Sequence, residues 1–332
     1  MQKLDNLQTL RAIAACLVIT CHSIGNYTTW NHLTYPSENV IWDIGKLGVG
    51  MFFVISGFIM MFIHHNDFHL KGAMTGFYIK RLVRVVPMYW LFTLIVALKI
   101  YLQGRDIEII DLVKSLLFIP YQNSSGLWRP IHDLGWTLNL EIYFYFIFGF
   151  ALLLNRKIGM LILFVTILLP LLLNHYYSIA TFYSDPVVVY FLVGILIFYI
   201  RDAQLLNLNI KGTTFFILSI IAITTIFSVN IATSLFTIIL AILLPLLAVL
   251  CSSKHKPFKI ITYVGNASYS LYLVHPLVIG VLLSVFKKLP ALPPYLGMFS
   301  YVLVCLLASM MVAHIIFIYV EKPIVSYFKK LV

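Results

Sequence analysis

Apolar runs of about membrane-crossing length, separated by short polar breaks, recur from one end of this chain to the other. They fall near 7–29, 46–65, 85–103, 136–154, 158–174, 186–201, 212–230, 233–251, 265–286 and 296–320. A helix needs about 17–25 apolar residues to cross a bilayer core, and only 186–201 is shorter than that. The pattern predicts an all-α fold, a polytopic membrane bundle of about ten helices, because a helix satisfies its own backbone polar groups in hydrocarbon. An even number of spans puts both termini on one side. Sixteen of the 23 Lys and Arg then lie on the side of the termini and seven on the other, which orients the chain N-in and C-in by the positive-inside rule. Two outer connections are longer than a turn: Trp30 to Gly45, and 104–135. The second is the longest structureless candidate, and loops of that length are commonly functional. No appended soluble domain, repeat or low-complexity tract is visible, so 1–332 reads as a single transmembrane domain.

Composition agrees. The chain is 61% hydrophobic and 11% charged, against the roughly 25% charged residues of soluble domains. Its formal charge of +11 would suit nucleic acid, but the basic residues follow the cytoplasmic segments, so no nucleic-acid partner is expected. Cys16, Cys21, Cys251 and Cys305 all lie in apolar runs without metal-like spacing, predicting neither disulfide nor metal site. The first run carries Arg11 and His22 and lacks a small-residue cleavage site, so it is expected to remain as the first helix.

Against this background the ionisable interruptions stand out. Arg11 and His22 are eleven residues apart, about three helical turns and ~16 Å along one face. A charge in a span costs at least ~2–3 kcal/mol. A neutral imidazole can take a proton from a hydroxyl and pass it on; the ordinary alternative for His22 is a hydrogen bond between helices. Arg11 at the inner end is explained as well by snorkelling to headgroups. Arg81 and Arg84 share a helix side at the inner start of the third span, where paired guanidinium forks and free helix amides suit a phosphate; positive-inside anchoring explains such a cluster equally.

Glu141 lies about a turn and a half into the fourth run, at a depth similar to that of His22. A carboxylate there would orient an imidazole, or serve as a structural link to an arginine or tyrosine. Ser268, Tyr272 and His275 follow i, i+4, i+7 and form one polar stripe, facing either a cavity or a neighbouring helix. Four of the five tryptophans (Trp30, Trp42, Trp128, Trp136) fall at the outer face. An interfacial belt is the simpler account, and stacking on a carbohydrate ring is the alternative.

With these residues in place, the chain resembles the acyltransferase-3 family of integral-membrane acyltransferases, including its exopolysaccharide O-acetyltransferase branch. The matching elements are Arg11 with His22, the stretch Phe52 to Phe58 holding Ser56 and Gly57, Arg81 with Arg84, Trp136 to Glu141, and Ser268 to His275. They occur in the family's order across nearly the whole chain. The resemblance implies transfer of an acyl group, acetyl as the expected one, from cytosolic acetyl-CoA to a hydroxyl of an extracytoplasmic glycan or lipid-linked saccharide, at a bacterial plasma membrane. It implies His22 as the catalytic histidine, with Glu141 expected to orient it. The arginine pair, with Arg11, is expected to handle CoA, and Ser56, Trp136, Tyr272 and His275 to line the substrate cavity. Many relatives carry a second, hydrolase-like domain; this chain is expected to act without one, which points away from peptidoglycan-type acceptors. Buried His and Glu would also suit a proton-coupled transporter or flippase of a glycan intermediate, although no repeat or matched pair of broken helices supports that. A structural subunit of an export complex would leave the buried charges without purpose.

Overall fold

A computed structural model describes residues 5–33, 38–177, 181–204, 219, 233–250, 259–290 and 292–329, with helices and no strand among them. In chain order the helices are α1 (Asp5–Trp30), α2 (Glu38–His64), α3 (Ala73–Leu102), α4 (Ile109–Leu116), α5 (Gly135–Ala151), α6 (Arg156–Tyr177), α7 (Val189–Asp202), α8 (Thr233–Leu250), α9 (Lys259–Asn266), α10 (Ser268–Phe286), α11 (Pro294–Ile316) and α12 (Lys322–Lys329). Six of them, α1, α2, α3, α6, α10 and α11, are long and apolar enough to cross a membrane. Leu161, Leu172, Leu296, Leu307 and Met311 on α6 and α11 are exposed, the surface of a multi-pass membrane protein whose helices face lipid. The span expected at 136–154 is the 17-residue α5 and that at 186–201 the 14-residue α7. The span expected at 212–230 lies outside the described residues apart from Ser219, as does Cys251.

Two sequence expectations change. The 104–135 connection holds α4, whose Ile109, Ile110 and Val113 are exposed beside a buried Ser115; eight residues are too few to read periodicity against the flanking polar stretch. The third helix starts at Ala73 rather than near 85, after Gly72 at φ +82°. Lys80, Arg81 and Arg84 made the segment look polar, yet they sit on a continuous helix, so Arg81 lies eight residues, about 12 Å, beyond its start.

The described residues fall into two compact units. The first comprises Met1–Phe58 and Val193–Ile318, and α1 is its hub, packing against α8, α9, α10 and α11. That position requires a thin helix, and α1 supplies Ala12, Ala14 and Ala15, each buried. Glycines bring neighbours against it. A Cβ at Gly48 would lie 2.6 Å from the Ala14 carbonyl, and one at Gly45 2.7 Å from Cys21 Sγ; a Cβ at Gly265 of α9 would collide with the Gln8 carbonyl. Small residues at such crossings let backbones approach where no hydrophobic effect drives helices together. The second unit comprises Ile59–Leu192 and Tyr319–Val332. There α5 packs on α3 and α6, and α12 on α3, around an aromatic core of Phe77, Phe144, Phe148 and Phe191.

Gly265→Ala is expected to lower the thermal midpoint of the detergent-solubilised protein, overpacking of this kind costing about 1–3 kcal/mol. Gly76→Ala, at a helical glycine with nothing within 4 Å of an added Cβ, is expected to leave the midpoint unchanged or raise it. Equal midpoints for the two variants would contradict the close α1–α9 contact.

Candidate active site

His22 sits in the second half of α1, half-buried, and lines a cavity of about 280 Å³ with Gly25, Asn26, Thr29, Trp30, Trp42, Leu283 and Lys287. The cavity lies wholly within the first unit and is built from α1, the start of α2 and the end of α10. On one side the His22 ring meets the edge of Trp42, centroids 6.3 Å apart; on another it lies 5.4 Å from the ring of His275. Asn26, one turn on, donates to the His22 carbonyl at 2.8 Å. A ring that touches both a buried imidazole and an accessible cavity can exchange a proton with a molecule occupying that cavity.

His275 and Ser268 are fully buried, and Tyr272, the third member of the stripe, is buried as well. Its tautomer follows from the next residue. Pro276 stands inside α10 without an amide N–H, so the Tyr272 carbonyl, four residues back, lacks its helical donor. His275 Nδ1 takes that place, 2.7 Å from the Tyr272 oxygen. Nδ1 therefore carries the hydrogen in the neutral ring, and Nε2 holds the lone pair. Tyr272 also meets the ring of Phe52 at 6.0 Å. Ser56, half-buried, lies one turn beyond Phe52 on α2.

The second unit contains a separate polar chain. Glu141 on α5 accepts a hydrogen bond from the Tyr145 hydroxyl one turn along the same helix. Arg81 on α3 lies within electrostatic reach of Tyr145, Arg84 and Glu141. Tyr145 is 5% exposed, and the Arg81 guanidinium lies over Phe77, 6.0 Å from its centroid. The carboxylate expected to orient an imidazole is thus engaged with a tyrosine and coupled to an arginine. Arg81 and Arg84 lie too far along α3 to share in the free amides of its first turn.

Arg11, half-buried, reaches Gln8 Oε1 at 3.4 Å. Trp136, at the start of α5, lines a cavity of about 300 Å³ in the second unit together with Trp128. All four tryptophans expected at the outer face therefore line a cavity. Among the described residues no three His, Cys, Asp or Glu are grouped to hold a metal ion. Sequence reading passed over Tyr145 and Asn26 as site residues, although each stands at i+4 from a residue it singled out, the spacing that puts two side chains in reach. Lys287 carried no local signal; only the packing of α10 beside α1 brings it to the His22 cavity.

The family model described as "Acyltransferase domain" matches residues 4–316. Over 118 residues the chain is 37% identical to the exopolysaccharide production protein ExoZ of Rhizobium meliloti (strain 1021), covering 34% of this chain and 36% of that relative. The alignment thus spans about a third of the relative's length. No solved structure matches.

Pro276→Ala restores the amide that the Tyr272 carbonyl lacks and releases His275 Nδ1. In protein labelled with ¹⁵N-histidine, the wild type is expected to show a protonated Nδ1 and an unprotonated Nε2 for His275, and the variant a mixture. An unchanged pair of resonances would mean that the proline does not select the tautomer.

Proposed function

Because the chain belongs to the acyltransferase-3 family, we propose that it transfers an acyl group, acetyl in the first instance, from cytosolic acetyl-CoA to a hydroxyl of an exopolysaccharide or its lipid-linked precursor at a bacterial plasma membrane. The observation that carries this reading is His22, half-buried in the hub helix, open to a cavity and in ring contact with His275. The production of exopolysaccharide named for the Rhizobium relative supports the acceptor class.

In this reading the His22 imidazole removes the proton from the acceptor hydroxyl as its oxygen attacks the thioester carbonyl. The C–S bond breaks, the CoA sulfur leaves as thiolate, and the imidazolium returns the proton to it. A second imidazole 5.4 Å away in a fixed tautomer gives the base a polar neighbour where lipid offers none. Arg84 and Arg81 meet the phosphates of CoA. The Tyr145–Glu141 pair holds the Arg81 guanidinium in place and balances its charge, since a buried cation without a partner is expensive.

General base help is worth about 10²–10⁴-fold, so His22→Ala is expected to retain at most ~1% of wild-type transfer at equal membrane abundance. Transfer above a few per cent would remove His22 as the base. Arg84→Ala is expected to raise KM for acetyl-CoA about tenfold, the loss of one charge-assisted contact, and an unchanged KM would free CoA from the arginines. Glu141→Gln is expected to raise the same KM through Arg81. A fall in kcat with constant KM would instead assign Glu141 to the proton chemistry, as the sequence expected. Glycan movement without acetyl-CoA would favour a carrier.

A further inference from the structure

The cavity of about 300 Å³ in the second unit is lined by Trp128, Arg129, Trp136, Phe182 and Asp185 among others. It is assembled from the 117–134 connection, the start of α5, the 3₁₀ turn Phe182–Ser184 and the residues on either side of that turn, Thr181 and Asp185. Its floor is held by its own hydrogen bonds. Ser184 and Thr181 form a reciprocal capping box, and Asp185 Oδ1 accepts from the Val187 amide at 3.0 Å. Phe182 is buried, and Trp128 packs on it with centroids 5.8 Å apart. Arg129 lies over Trp136, 4.7 Å from the ring centroid, while its Nε pairs with Asp133 at 3.2 Å.

An interfacial belt presents tryptophans outward to headgroups. Trp128 and Trp136 are instead half-buried and lean into a concavity that also holds a carboxylate and a guanidinium. That mixture fits one ligand chemistry well. A sugar ring has an apolar C–H face and a rim of hydroxyls, so it calls for an aromatic platform and charged hydrogen-bonding groups beside it. One face of Trp136 is taken by Arg129, which leaves Trp128, backed by Phe182, as the platform. The volume lies at the lower end of the ~300–1,000 Å³ of ligand pockets, the scale of one or two rings rather than a chain.

We propose that this cavity is a saccharide subsite that grips a ring of the acceptor glycan other than the one acylated, with Trp128 as its stacking surface and Arg129 and Asp185 on its hydroxyls. The proposal rests on the reading that the acceptor is a glycan and adds a second point of attachment for it.

The test uses full-length protein in nanodiscs, acetyl-CoA, and two acceptors prepared from the de-O-acylated polysaccharide of cells carrying the gene: one complete repeating unit and its single monosaccharide. Stacking on one aromatic is worth about tenfold in affinity. Trp128→Ala is therefore expected to raise KM for the repeating unit about tenfold, with kcat and the monosaccharide and acetyl-CoA KM values unchanged. Trp128→Phe should recover most of the loss. An unchanged KM for the repeating unit, or an equal rise for both acceptors, overturns the subsite. So does a variant that loses only thermal stability and its response to added anionic lipid, the behaviour of a belt residue. Binding of the repeating unit to His22→Ala protein, read by tryptophan fluorescence, separates the two ideas. If the wild type acylates no glycan, yet this binding occurs and needs Trp128, the subsite stands and the transfer reading falls. If transfer occurs but the binding is absent, the reverse holds.

Discussion

An ionisable side chain in a membrane helix has no solvent except other protein, and the first unit is arranged to supply it. α1 carries Arg11 and His22, and four helices surround it. The alanines at 12, 14 and 15 and the facing glycines at 45, 48 and 265 make that enclosure possible, because each additional Cβ would push a neighbour outward. Enclosure leaves His22 half-buried among neighbouring rings and yet open to a cavity. The buried Asn6 on the same helix belongs to the same arrangement, its side-chain amide donating to the Ala248 carbonyl of α8 at 3.5 Å.

The two units solve the problem of buried polarity in different ways. In the first, backbone irregularity does the work: Pro276 withholds an amide, and the imidazole beside it fills the gap and thereby acquires a defined tautomer. In the second, a phenol donates to a carboxylate one turn away on α5, and a guanidinium of α3 lies within electrostatic reach of both, so that opposite charges offset each other.

Much of this was legible beforehand because helical periodicity and the cost of intramembrane charge are local properties. The apolar runs, the His22 and Glu141 positions, the Arg81–Arg84 pair and the 268–275 stripe all come from counting along the chain. What escaped had a physical reason in each case. The early start of α3 was masked by Lys80, Arg81 and Arg84, since basic residues mark where an apolar run begins, not where the helix that carries it begins. Helix α4 was too short to show a period. The link of Glu141 to a tyrosine was one of the two alternatives the sequence left open, and packing identifies the tyrosine as Tyr145, at i+4.

By itself the sequence determined that this is a helical membrane protein and which ionisable groups lie within its spans, because both follow from hydrophobicity summed over consecutive residues. Tertiary structure alone decided that His22 meets His275 and a cavity, that Lys287 joins it, and that Trp128 reaches Phe182. Those neighbours are separated by dozens to hundreds of residues, and only the close packing of particular helices and turns sets the distance between them.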